Sequence, residues 1–208
     1  VCSSDLPKFA PTRPVGLHLE GPHIRNTMVK PIEFFCLFFT QEMVDKIVLH
    51  MNTCAYIHIT QYANKKENTN LDGSWKETTS DEIFWHIALL IYFSLVKVTG
   101  EVDKYWSTST LYHGLWAWAI VPSRRRFLAL MALLQVVNPI NETAGNKLCE
   151  VGGFLNCFKS RCVMLYQPCQ HVTIDEHMVK FRHRSGMWRY KKDKPTKWGM
   201  KLWVLADS

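Results

Sequence analysis

The 208-residue chain has no apolar run long enough to span a bilayer. Its longest such stretches, residues 83–96 and 127–137, fall short of the roughly 20 residues a spanning helix needs, and His86 interrupts the first. Residues 1–13 lack the basic-then-apolar pattern of a secretory signal. Paired C-x₂-C knuckles are missing. The seven cysteines (Cys2, Cys36, Cys54, Cys149, Cys157, Cys162, Cys169) are odd in number and widely scattered. They read as reduced thiols in a cytosolic or nuclear protein, not as a disulfide framework. The sequon Asn141-Glu142-Thr143 stands alone and does not change that reading. There is no G-x-S-x-G elbow, P-loop or H-E-x-x-H, no internal repeat and no low-complexity tract. These absences remove membrane spans, disulfide scaffolds and the commonest hydrolase and nucleotide-binding signatures.

Acid is also in short supply. Eighteen Asp and Glu stand against 25 Lys and Arg, a formal charge of +7, so an anionic partner is worth testing. What is present is ordinary globular material, 47% hydrophobic and 21% charged, with eight Trp and eleven Phe. Such a length suits one domain or two small ones with a sizeable core.

The chain changes character along its length. Residues 1–31 hold five prolines and two glycines without a sustained period, and are expected to form an extended arm or linker. Residues 32–170 are expected to be helical. Thr40 can cap a helix over 41–51, in which Met43, Val44, Ile47, Val48 and Met51 recur at helical spacing. Residues 63–75 are polar and carry an Asp72-Gly73 turn signal, so they predict a surface loop. Thr79-x-x-Glu82 is a capping-box pattern before the apolar stretch 83–96, which predicts a helix buried on most sides. A third helix is expected over 124–137, capped by Ser123 and stopped by Asn138-Pro139. A weaker fourth covers about 148–166. From His171 the pattern alternates as in a half-buried strand, and 201–207 reads as a buried strand. From residue 171 to 208, nine basic residues face four acidic ones, so this end carries +5 of the +7.

Four groups of residues are candidate sites. Asp175-Glu176, read as lying at the end of a strand and facing a basic hairpin, could place a hard oxygen ligand for a divalent cation. The plainer reading is an exposed acid paired with a neighbouring Lys or Arg. Residues 181–192 interleave cations with rings, so that Arg182, Arg184, Arg189, Lys191 and Lys192, with Lys194 and Lys197 beyond, could neutralise phosphates while Trp188 or Tyr190 stacks on a base. A solvated hairpin face is the alternative. Arg124-Arg125-Arg126 oppose a helix dipole, which a solvated surface tolerates; otherwise at least one meets a phosphate or a buried carboxylate. Cys157, Cys162, Cys169 and His171 have C-x₄-C-x₆-C-x-H spacing, a weak zinc pattern in which the first two cysteines fall in a predicted helix.

Several of these residues together carry a family likeness. Ile174-Asp175-Glu176-His177-Met178, Phe181-x-x-Arg184, Tyr190, Lys194-Pro195-x-Lys197-Trp198-Gly199-x-Lys201 and Asp207-Ser208 resemble the start of the catalytic domain of piggyBac-type transposases. Upstream matches keep the family order: Phe34/Phe35 and Phe38/Phe39, Asn52-x-x-Ala55-Tyr56, Trp75-x-x-Thr78-x-x-Glu82-Ile83, Asp103-x-Tyr105-Trp106-Ser107 and Arg126-Phe127. The likeness covers residues 34–208. Departures are His183 where the family commonly has Gly, Lys192 where it has Pro, Met51 where Thr is usual, and Gln135 near a common His. Together they suit a decayed or domesticated copy.

The resemblance implies a mainly α N-terminal region followed by the first β-strands of an RNase H-like α/β catalytic domain, truncated here. It implies a helical dimerisation and DNA-binding region over 32–170 and the incomplete catalytic domain over 171–208. In the family, three Asp residues bind two divalent metals, Mg²⁺ or Mn²⁺, for metal-dependent DNA cleavage and strand transfer. Asp175 matches the first of the three; the others would lie beyond Ser208. The expectation is therefore a nuclear DNA-binding protein without stable metal binding or catalysis of its own. Its expected partners are DNA and a second copy of itself, with no membrane and no small-molecule substrate. The alternatives are a domesticated interaction or dimerisation module, or a truncated gene product without function.

Overall fold

The computed structural model describes residues 9–19, 30–62, 75–112, 116–121, 123–138, 140, 151–180 and 188–207. In chain order the elements are β1 (Gly16–Leu17), α1 (Pro31–Phe38), α2 (Gln41–Tyr62), α3 (Ser80–Leu95), two 3₁₀ turns (Val102–Trp106 and Thr110–Tyr112), α4 (Ala117–Ile120), α5 (Arg124–Leu133), α6 (Gly152–Leu165), β2 (Tyr166–Gln167), β3 (Val172–Lys180), β4 (Trp188–Tyr190) and β5 (Trp198–Asp207). The fold is thus mixed, helices first and small antiparallel sheets after. It divides into two compact units, residues 39–157 and residues 1–38 with 158–208. Among the described residues, no helix is long and apolar enough to cross a membrane.

The unit 39–157 is helical because its apolar side chains recur every three or four residues. Val44, Ile47 and Met51 of α2 close on Ile83 of α3 and Leu130 of α5, each at most 3% exposed. A second cluster gathers Leu89, Tyr105, Ala117, Val121 and Phe127. There Phe93 packs against Tyr105 with ring centres 4.1 Å apart, and against Phe127 at 5.5 Å. Burying such a side chain is worth about 1.5–3 kcal/mol, so the two clusters hold the unit together. His86 lies in this core against Phe127, its Nε2 3.2 Å from the Met131 sulfur. Burial keeps its pKa below the ordinary 6.5 and so favours the neutral ring.

Helix starts follow the sequence signals more closely than helix ends. The hydroxyls of Thr40, Thr79 and Ser123 accept from the amides of Met43, Glu82 and Arg126 at 3.4, 3.3 and 3.2 Å. By contrast, α2 runs on to Tyr62, well past the 41–51 that its apolar spacing predicts. Burial of Ala55 carries it through this stretch, while Thr53 and Thr60 satisfy their hydroxyls within the helix by donating to the carbonyls of Leu49 and Tyr56 four residues back. Helix α5 stops at Leu133 instead of 137, since Leu134 already adopts extended ψ 111°. That conformation suits the β-branched Val136 and Val137 that follow, and Val136 packs on the first cluster. The stretch 83–96 is not buried on most sides. Ile83, His86 and Leu89 face the core, whereas Trp85, Ile91 and Leu95 are 54%, 47% and 78% exposed. Of the fourth predicted helix, 152–165 is helical. Of the predicted loop over 63–75, residues 63–74 lie outside the described residues, and Trp75 is in neither helix nor strand.

In the other unit, β3, β5 and β4 form an antiparallel sheet in that order. The register runs from Val172 opposite Asp207 to Lys180 opposite Gly199, and Trp188–Tyr190 add on the far side of β5. Much of the apolar surface stays uncovered: Ile174, Trp203 and Leu205 on one face, Val204 and Leu202 on the other. Residues 9–19, within the stretch expected to be an extended arm or linker, are tied to the end of α6 and to β2. Gly16 and Leu17 pair with Gln167 and Tyr166, and the His18 amide donates to Leu165 O at 2.6 Å. The Arg13 guanidinium donates to the carbonyls of Met164, Val163 and Tyr166, where α6 ends. A cation there meets both the orphan carbonyls and the negative end of the helix dipole. Arg13→Ala is therefore expected to speed exchange of the His18 amide about tenfold while leaving the helical unit unchanged. Amide exchange followed by NMR would sink this account if the His18 rate did not move.

Candidate metal-ligand position and nucleic-acid interface

Asp175 is the fourth residue of the nine in β3, opposite Val204 of β5, and so not at a strand end as its neighbours in sequence imply. Successive strand residues face opposite sides, so Asp175 and Glu176 cannot share one ligand. The Asp175 side chain is 73% exposed. Its Oδ1 accepts from the Glu176 amide at 2.7 Å, and Lys194 Nζ lies 3.2 and 3.3 Å from its two oxygens. These contacts, the backbone amide first and then the ammonium, hold its carboxyl below the ordinary carboxylate range. The group is ionised, solvent-accessible and already balanced by one cation.

Glu176 looks to the other face and has a different role. Its side chain is 19% exposed and takes Lys201 at 2.6 Å and Lys191 at 3.2 Å. Hydrogen bonding from Lys201 outweighs burial and lowers its pKa. Lys201 also lies 4.1 Å from the centre of the Trp203 ring. Such a neutralised, half-enclosed carboxylate ties β3 to β5 and to the end of β4.

The basic residues are therefore not one uniform patch. Lys191, Lys194 and Lys201 are bound to acids, whereas Lys192 and Lys197 point into solvent, and Arg189 is exposed. Lys192 and Lys197 flank a turn that the Lys191 amide closes on Lys197 O at 2.8 Å. Tyr190 and Trp198 pack beside it with ring centres 4.6 Å apart and planes tilted by 48°. Arg182 and Arg184 lie outside the described residues, as does the side chain of Trp188.

The arginine triplet also separates. Arg126 makes a bidentate pair with Glu82, Nε to Oε1 at 2.7 Å and the second nitrogen to Oε2 at 2.6 Å. Its guanidinium sits 4.4 Å from the Trp75 ring centre. Of the two readings left open by the sequence, the carboxylate is the one realised at Arg126. Arg124 pairs with Asp103 at 2.5 Å on the surface, and Arg125 is exposed. The capping box at Thr79 is only half formed, because the Glu82 carboxylate turns to Arg126 and to the Thr78 hydroxyl at 2.8 Å.

Most upstream residues of the family pattern prove to be clamps. Asn52 Oδ1 accepts from Trp75 Nε1 at 3.1 Å and the Thr78 amide at 2.9 Å, and its Nδ2 donates to Thr78 O at 3.2 Å. Tyr56 donates to Glu77 at 2.5 Å. The Tyr105 hydroxyl donates to Val96 O and accepts from the Val98 amide, closing the end of α3, while Trp106 Nε1 donates to Val121 O at 2.8 Å. Asp207, in the other unit, takes the Tyr166 hydroxyl and the Cys169 amide. Side chains that satisfy buried backbone groups hold loops in one conformation. Nothing in the local sequence of Asn52 or Tyr105 announces these partners. Among the described residues, no three His, Cys, Asp or Glu side chains are grouped as a metal site, and Cys169 Sγ meets His171 O instead.

The sequence pattern of the family described as Transposase IS4 matches residues 30–208. The human PiggyBac transposable element-derived protein 3 is 24% identical over 181 residues, covering 87% of this chain and 28% of that protein. The human Chimeric ERCC6-PGBD3 protein is also 24% identical, with 16% of its length covered. A cryo-EM structure of a piggyBac transposase synaptic complex with hairpin DNA matches with TM-score 0.68 and 26% identity, over 89% of this chain and 37% of that one. The chain thus spans well under half the length of these relatives. With the pattern running through 30–208 and the fold shared over 89% of the chain, the protein belongs to the Transposase IS4 family and is of the piggyBac type.

Proposed function

We propose that the chain is a DNA-engaging part of a piggyBac-type transposase, nuclear in location. In this reading β3, β5 and β4 open an RNase H-like domain and Asp175 is the first metal carboxylate. The observation that carries it is an exposed, ionised Asp175 on β3, beside a turn presenting Lys192, Lys194 and Lys197. Its hard oxygen donors and 73% exposed side chain suit Mg²⁺ or Mn²⁺, with Lys194 as the cation now on it. When bound, such ions supply Lewis-acid stabilisation and an activated nucleophile for phosphodiester chemistry. The chain's own residues would position DNA: Lys192 and Lys197 on phosphates, with Arg182, Arg184, Arg189 and Arg125 as further candidates. Arg124 and Arg126 are spoken for by Asp103 and Glu82, and Lys191 by Glu176. Among the described residues no group of three or more His, Cys, Asp or Glu side chains could hold a metal ion, and a single carboxylate cannot hold two ions, so this stretch by itself is expected to bind DNA without cutting it.

Salt dependence tests this. Affinity for a duplex should fall steeply as salt rises, because each neutralised phosphate releases counterions at about 0.9 per contact. The double variant Lys192→Gln/Lys197→Gln should bind more weakly and flatten the log–log slope by about 2. Salt-independent binding, or a variant that matches wild type, would remove the DNA interface from this turn.

A further inference from the structure

We infer that Lys194 is a built-in counter-cation that occupies the divalent-metal position on Asp175, so that a metal ion binds there only by displacing it. The inference rests on Asp175 being a metal ligand and adds a residue that opposes loading. Its basis is geometric. Lys194 Nζ is nearly equidistant from Oδ1 and Oδ2, at 3.2 and 3.3 Å, and so straddles the carboxylate where an incoming cation would meet both oxygens. The Glu176 amide already occupies Oδ1 from the strand side. A metal ion and an ammonium compete for what is left, because the ammonium lies across both oxygens and the two charges repel at contact distance.

The other described lysines of this region are held elsewhere or point away. Lys191 and Lys201 bind Glu176 on the opposite face of the sheet, and Lys192 faces solvent. Lys194 is therefore the one described ammonium placed on Asp175. Its chemistry suits displacement. An ammonium on a four-carbon stem is a single point charge that can swing away, unlike the planar fork of an arginine, which would grip both oxygens. It stands in a turn between β4 and β5, so its release need not disturb strand pairing. Without metal the contact keeps Asp175 charged yet locally neutralised beside the surface proposed to meet phosphates. With metal, the ammonium is released next to that surface.

The test is Mn²⁺ titration of the full chain, read by paramagnetic broadening of the Glu176 and Val204 amides. Lys194→Met should lower the Mn²⁺ concentration for half-broadening about three- to tenfold, and Asp175→Asn in the same background should abolish the effect. Lys192→Met removes an equal charge from a solvent-facing neighbour and should change the midpoint far less. If Asp175-dependent broadening is seen but its midpoint is the same in wild type and in the Lys194→Met variant, Lys194 does not compete, and the proposal fails while Asp175 remains a ligand. Equal tightening by Lys192→Met would also overturn it, by reducing the effect to net charge. If neither background shows broadening that depends on Asp175, the metal-ligand reading itself is lost and the proposal with it.

Discussion

Glu82→Ala is expected to lower the thermal midpoint of the chain by about 6–12 °C, the product of the cost and sensitivity that follow. The substitution strips Arg126 of both its hydrogen-bond acceptors and leaves the Thr78 hydroxyl without its carboxylate. The two charged side chains are only 27% and 20% exposed, so water replaces the lost partner poorly. Removing one member of such an enclosed pair costs about 3 kcal/mol, and each kcal/mol moves the midpoint of a chain this long by roughly 2–4 °C. The exposed Glu42–Lys46 pair is the internal control. Its side chains are 77% and 54% exposed, and Glu42→Ala should leave the midpoint where it was. Differential scanning calorimetry decides the matter: a shift below about 2 °C for Glu82→Ala would mean that the pair does not hold the unit together.

The same pair carries a pH signature. Burial is the largest influence on Glu82 and pushes its pKa up, but hydrogen bonds from Arg126 and Thr78 and the guanidinium charge outweigh it, so the net shift is downward from 4.5. A carboxyl depressed in the folded state stabilises fully above its unfolded pKa. That stabilisation is lost as pH falls through the folded value. The difference between wild type and Glu82→Ala should accordingly be largest near neutrality and shrink below the ordinary 4.5.

The second large effect is expected at Gly199, where a methyl group should break the pairing of β3 with β5. A Cβ there would run into Val179 O and lie 2.9 Å from Val179 C, both backbone atoms that cannot turn aside. The position is buried and sits between Lys180 on one side and Arg189 on the other, so neither neighbouring strand can yield alone. Overpacking in a tight site costs about 1–3 kcal/mol even when side chains can shift; against backbone the cost should reach the upper end or beyond. Gly199→Ala should abolish exchange protection across 172–180 and 198–207 while the helices of 39–157 stay protected. Hydrogen exchange by mass spectrometry reads this directly. Retained protection in β3 would show that the strands can part to admit the methyl group. Because Asp175 pairs with Val204 in the same ladder, this glycine also holds the carboxylate in place.

Neither of these contacts can be read along the chain. The capping roles of Thr40, Thr79 and Ser123 are legible locally, because a cap and the amide it serves lie three residues apart. The strand alternation around Asp175 is legible for the same reason: its period is short. The pairing of Glu82 with Arg126, 44 residues on, is not. Nor is Arg13 reaching Met164 across 151 residues. A charged side chain names the kind of partner it needs, but which partner it meets depends on how helices and strands pack. The arginine triplet shows the difference, since three identical neighbours in sequence have different surroundings.

Scarcity of acid, the lack of an apolar run of membrane-spanning length and a basic end were matters of composition, and the ordered family motifs needed only the linear sequence. Helix starts and the side on which Asp175 lies follow from short-range spacing. Tertiary structure alone decided that most of those motifs are clamps, that Arg126 serves a carboxylate, that Asp175 sits within a strand and that Lys194 is the cation on it. Such contacts join residues distant in the chain, and their geometry exists only once the apolar clusters and the β3–β5 ladder have brought those residues together.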